Sequence, residues 1–203
     1  MAAPDIVLCV GHSRRLDNGA SSVTGMSEWD FNSRLAPIIA RKLGYGWSAS
    51  IIEAYDASNY TDAMAWLAEE LSRIEAPAAI ELHFNAGGGT GHQWLHGSSE
   101  EAAALARALS TAFNASFATD ELPPRLESVQ ERLTGNGALF LNSMPCPTVI
   151  AEPFFGDNTN DWTIAQDMER LADAYAAGIG SWLGNALMPP RRSPGGGLRP
   201  HAE

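Results

Sequence analysis

Ile6 to Val10 form an uninterrupted apolar run that stops at Gly11-His12, the pattern of a strand buried on both faces and ending at a loop that carries a polar side chain. After a polar, glycine-containing loop, apolar residues recur at Phe31, Leu35, Ile38, Ile39 and Leu43. That is a helical period on one face, with Ser27 placed to cap the helix and Glu28 to open it. Pro37 falls inside the pattern, where its missing N–H removes one backbone bond and predicts a kink. Ser48 to Ile52 reads as a second strand, and Ala63, Trp66, Leu67, Leu71 and Ile74 as the face of a second helix that ends before Pro77. Ala78 to Asn85 predicts a third strand, whose alternation puts Glu81, His83 and Asn85 on one face and Ile80, Leu82 and Phe84 on the other. His92 to His96 predicts a fourth strand, Glu100 to Phe117 a long alanine-rich helix, Thr148 to Ala151 a further strand and Thr163 to Leu187 the closing helix.

Strands and helices in alternation predict an α/β fold: a single domain with a mostly parallel, twisted sheet flanked by helices. In such sheets the working residues gather outside the carboxyl ends of the strands. Between Asn114 and Asn142 the pattern weakens around Pro123-Pro124 and Gly135-Asn136-Gly137, which predicts a long, partly irregular excursion near the site rather than a second domain. The 203 residues suffice for one core. We therefore expect a catalytic domain over 1–187 and a Pro/Gly-rich, disordered tail over 188–203.

Composition narrows the chemistry. Thirteen Lys and Arg against 24 Asp and Glu give a formal charge of −11, and without a compact basic stripe this argues against nucleic acid as a partner. Cys9 and Cys146 are the only cysteines, too few for a disulfide framework or a cysteine-built zinc site, so a metal would have to use His and carboxylate. The first residues show five apolar positions and no basic lead, and no window approaches a membrane span. The expectation is synthesis in the cytoplasm without a signal peptide, no membrane insertion, and a monomer.

His12 and His83 stand at the ends of predicted core strands. A single strand-end histidine is most often just hydrogen-bonded, but two of them, with Glu28 opening a helix between, make up the three-ligand set of a hydrolytic zinc site whose fourth position is left to water. His92 and His96, four apart, are an alternative ligand pair; with no thermolysin-type carboxylate motif beside them, a surface or cleft-lining role is the preferred reading. Glu81 shares a face with His83 and is either the acceptor that orients this imidazole or a rival general base, the first being preferred because it lies two residues back into the sheet. Cys9 reads as a small apolar core residue. Gly87-Gly88-Gly89 has no following Lys and reads as a flexible turn beside the site rather than a phosphate loop, and no serine stands in a nucleophile elbow.

Four segments, in this order, resemble a known family: Ile6-Val-Leu-Cys-Val-Gly-His12; Gly25-Met-Ser-Glu28 with Phe31-Asn32; Ile80-Glu-Leu-His-Phe-Asn-Ala86; and Ile150-Ala-Glu-Pro-Phe-Phe-Gly156. They look like the four signature blocks of the zinc-dependent N-acetylmuramoyl-L-alanine amidases of the amidase-3 type, closer to bacteriophage endolysins than to bacterial division enzymes, and they span residues 6 to about 185. The resemblance implies that His12, Glu28 and His83 bind Zn2+ and that Glu152 is the catalytic carboxylate, with Asn85 fixing its loop. It also implies hydrolysis of the amide between N-acetylmuramic acid and L-alanine in peptidoglycan, in the setting of a phage lysis enzyme released through a holin. The alternatives are a zinc amidase or peptidase for another acyl-amino acid, and a peptidoglycan-binding module without turnover. Three departures stand out: Cys9 and Val10 replace the family's acidic residue and proline, Ser13 replaces the glycine after the first histidine, and the second helix offers no clear equivalent of a substrate-anchoring arginine.

Overall fold

The computed structural model describes residues 3–44, 46–53, 57–118 and 120–187. In chain order the elements are β1 (Ile6–Val10), α1 (Glu28–Leu43), β2 (Ala49–Ile52), α2 (Tyr60–Arg73), β3 (Ala79–Leu82), β4 (His92–His96), α3 (Glu100–Ser116), β5 (Pro124–Glu131), α4 (Ala138–Ser143), β6 (Thr148–Glu152), α5 (Thr159–Ala165) and α6 (Met168–Leu187). The sheet runs β2-β1-β3-β6-β4-β5. β2, β1, β3 and β6 are mutually parallel, while β4 lies antiparallel to β6 and parallel to β5.

The apolar runs at β1 and β3 are explained by helices on both faces. On one face Ile6, Leu8 and Val10 join Phe31, Leu35 and Ile39 of α1 and Leu105, Leu109 and Phe113 of α3, with Leu171, Tyr175 and Ile179 of α6. On the other, Val7 and Cys9 meet Met64, Leu67 and Leu71 of α2 and Phe140 and Leu141 of α4. The strand period of two thus deals alternate residues of β1 into two cores. Cys9 is buried among apolar neighbours, as its sequence context implies.

α1 starts where the sequence indicates, with the Ser27 side chain accepting from the Asp30 N–H. The helix continues through Pro37, which is exposed, so the N–H it lacks removes one backbone bond without ending the helix. Two expectations need correcting. The segment from Asn114 to Asn142 is more regular than its composition suggests, because it supplies the edge strand β5 and the short helix α4. Its weak pattern has a cause: β5 is exposed over its first half, and its register against β4 slips between the pairs His92↔Pro124 and Trp94↔Val129. The closing helix is in fact two, α5 capped by Asn158 and α6 begun at a turn where the Asp167 carboxylate accepts from the Arg170 N–H. The predicted tail at 188–203 lies outside the described residues, and among those described no helix is long and apolar enough to cross a membrane.

Candidate active site

β1 and β3 are neighbours, so the loops leaving their carboxyl ends bring His12 and His83 side by side, with ring centres 4.9 Å apart. Glu28, the first residue of α1 and only 3% exposed, reaches between them. One oxygen, Oε2, lies 3.1 Å from His12 Nε2 and accepts from the Ala20 N–H; the other, Oε1, lies 2.7 Å from His83 Nδ1 and accepts from the Phe84 N–H. The donor atoms of the three side chains all fall within 4.8 Å of one another. Burial alone would raise the Glu28 carboxyl, yet the two imidazoles hold it well below its usual range. Burial likewise opposes the charged imidazoles, and is outweighed at His12 by Glu28 and at His83 by Glu81 and Glu28, so both are raised.

Each imidazole also has a carboxylate behind it. His12 Nδ1 lies 3.0 Å from Asp17 Oδ2, and His83 Nε2 lies 3.0 Å from Glu81 Oε2. Asp17 returns to His12 because Ser13, in a tight turn, accepts from the N–H groups of Leu16 and Asp17 through its hydroxyl. His12 itself has a positive φ of 66°, a conformation that costs a non-glycine residue energy and is tolerated where surrounding contacts enforce it. Two glycines make room for the cluster. A Cβ at Gly11 would come within 2.4 Å of the His83 ring, and one at Gly19, where φ is +75°, within 2.5 Å of the His12 ring.

Glu152 ends β6 next to β3 and lines the same cleft of about 590 Å³, together with His12, Glu28, Glu81, His83 and Asn85. Asn85 donates from Nδ2 to Glu152 Oε2 at 2.6 Å, while its Oδ1 takes the Ala86 N–H. Burial pushes the Glu152 carboxyl above its ordinary range, against the pull of His83 and the guanidiniums of Arg132 and Arg125. One strand-end face therefore offers a trio of two imidazoles and a carboxylate whose donor atoms converge and, in the same cleft, a second carboxylate whose pKa burial raises.

The other two described histidines are elsewhere. His92 is wholly buried rather than at the surface or the cleft; Trp94 Nε1 donates to its Nδ1 at 2.8 Å, and its Nε2 meets Asn114 Oδ1 at 3.2 Å. His96 faces the Gly97 carbonyl through Nδ1. The triple-glycine turn is pinned, not loose: Asp157 accepts from the N–H groups of Gly87 and Gly88, and Asn158 donates to the Gly89 carbonyl. Asp157 and Asn158 escaped sequence reasoning, as did Asp17, although Asp17 sits only five residues from its histidine and a carboxylate following a strand-end His was a readable hint.

The sequence profile of the N-acetylmuramoyl-L-alanine amidases matches residues 6–181. No curated protein matches the chain in sequence. Among solved structures, the amidase Ami1 from Mycobacterium smegmatis is similar at a TM-score of 0.75 with 18% identity, covering 91% of this chain and 98% of that one. The CwlD amidase from Clostridioides difficile, solved in complex with the GerS lipoprotein, gives 0.74 and 20%, with 90% and 99% covered. The catalytic domain of the CD27L endolysin targeting Clostridia difficile gives 0.71 and 22%, with 90% and 97% covered.

Proposed function

The chain belongs to the N-acetylmuramoyl-L-alanine amidase family, and from that premise we propose that it is a zinc-dependent hydrolase of the amide between N-acetylmuramic acid and L-alanine in peptidoglycan. The observation that carries the reading is the convergence of His12, Glu28 and His83 within 4.8 Å at a cleft that also holds Glu152. The donor set suits zinc: two imidazoles and one carboxylate, one ligand atom from each within 4.8 Å of the others, the residue types and number of a hydrolytic zinc site. In this reading His12, Glu28 and His83 hold the ion, which when bound supplies Lewis acidity and brings a water's pKa toward about 7.

The chain's own groups do the rest. Asp17 and Glu81 fix the two imidazoles, so that His12 turns Nε2 and His83 turns Nδ1 toward Glu28. Glu152 takes the proton of the attacking water and passes it to the departing alanine nitrogen. Asn85 on Oε2 leaves Oε1 as the atom that carries the proton between these two events. A monomer in a phage lysis setting, reaching the wall through a holin, completes the proposal. The decisive assay incubates zinc-loaded protein with purified peptidoglycan and follows new alanine amines and new reducing sugars. Amines without sugars are expected; binding with no released amine points to a module without turnover, and reducing sugars point to a glycosidase.

A further inference from the structure

The cleft continues past Glu152 into a second compartment of about 470 Å³ that contains none of His12, Glu28 and His83. Glu152, Asn85 and Arg132 line both parts, so the two form one groove with the proposed metal trio at one end. Two guanidiniums line the second compartment, Arg132 where the two parts meet and Arg125 in the second alone. Arg125, in the stretch where β5 slips out of register, lies 4.9 Å from the centre of the Phe155 ring. That ring is seated against Gly89, where a Cβ would approach it to 2.3 Å. Arg132 follows β5, its N–H bonded to the His96 carbonyl and its Nη1 3.4 Å from the Asn136 carbonyl. Among the described residues neither has an ion-pair partner, which is also true of Arg14, Arg15 and Arg34, but Arg125 and Arg132 share one groove, whereas Arg41, Arg73, Arg107 and Arg170 are each paired. In a chain of net charge −11, two unpaired cations facing one groove are a local reversal of sign.

We propose that Arg125 and Arg132 form a carboxylate-binding subsite for the peptide on the amine side of the scissile bond, so that the enzyme selects acyl-amino-acid substrates whose leaving peptide carries a free carboxylate near its new amino end. This rests on the amidase reading above. If Glu152 protonates the departing nitrogen, the peptide attached to that nitrogen extends past Glu152, and the compartment it enters is the one with the arginines. A guanidinium offers a carboxylate a planar fork of N–H donors. A carboxamide carries no charge to answer it.

The test uses matched N-acetylmuramoyl-L-alanyl peptides, amidated at the carboxyl terminus, whose second residue bears either a free carboxylate or a carboxamide. With zinc-loaded protein the carboxylate form should show a kcat/KM roughly tenfold to a hundredfold higher, chiefly through KM, the scale of a charge-assisted hydrogen bond. Salt should erode the ratio, and R125Q/R132Q should bring it near one; R125Q alone, at an exposed position, should lower it if the double variant fails to fold. Calorimetry with the corresponding free L-alanyl peptides gives the same comparison without turnover. Equal binding and equal kcat/KM for the two forms overturn the subsite and leave the amidase standing. Selective binding with neither substrate cleaved overturns the amidase and keeps a carboxylate-selective groove. Loss of both overturns both.

Discussion

A carboxylate's role in this groove is set by what stands beside it. Glu28 is locked between two imidazoles and two backbone N–H groups, Glu81 is bound to His83, and Glu152 meets only an amide donor while burial raises its pKa. Glu152→Gln should therefore retain zinc and fold yet lose roughly a hundredfold to ten-thousandfold in kcat, the usual worth of a positioned acid or base. Glu81→Gln should instead loosen zinc by roughly tenfold to a hundredfold, since what it loses is the grip on an imidazole. Metal content and turnover measured on both variants separate the two roles, and a Glu81 variant that is inactive with full zinc would exchange them. That His12, Glu28 and His83 would come together was legible because strand-end and helix-start positions follow from hydrophobic pattern, whereas Glu152 was pointed to by the family resemblance of its segment. Asp17 was not, because its approach to His12 depends on the positive φ at His12 and the Ser13 turn, neither of which leaves a periodic trace. His92 was misplaced for the opposite reason: a polar residue in a strand reads as surface unless its partners, Trp94 and Asn114, are seen.

Elements with strong period were found to within a few residues, and those that answer to neighbours were not. β5 has no alternation to display because its first half lies exposed at the sheet edge, and α5 and α6 are parted by Asp167, an ordinary helix residue in composition that here caps the second of them. The short helix α5 matters beyond its seven residues. Its Asp161 is wholly buried and accepts from Thr90 Oγ1, from the Gly91 N–H and from the Phe155 N–H, tying β6's exit to β4's entry. Asp161→Ala strips two buried N–H groups, those of Gly91 and Phe155, of their acceptor, and at 1–3 kcal/mol for a buried group left unpaired we expect a loss of about 2–4 kcal/mol. Urea unfolding would measure it; a change below about 0.5 kcal/mol would mean that water replaces the carboxylate.

At the scale of the molecule, stability should respond to metal and to pH. An ion bound only by the native state raises Tm, so chelation should lower it in the wild type and leave a His83→Ala variant, already without zinc, unchanged. The His92 imidazole is held below its ordinary 6.5 by burial, only partly offset by Asn114. Between the two values the unfolded chain binds the proton and the native chain does not, so this contribution is full above pH 6.5 and is lost as pH falls toward the folded-state value. Urea midpoints from pH 7.5 to 5 should drop more steeply for the wild type than for His92→Gln, and parallel slopes would remove His92 from the account. The sheet order carries a consequence for how the chain comes to be folded at all. β6, the last of the described strands to be made, lies between β3 and β4. Until residue 148 has been synthesised, β1, β2 and β3 end in an open edge and the β4–β5 pair has nothing to join. Closure waits on contacts far apart in sequence, which slow folding and leave strand edges bare in the meantime. The same strand brings Glu152, so a nascent chain gains its last groove carboxylate only in the step that seals the sheet.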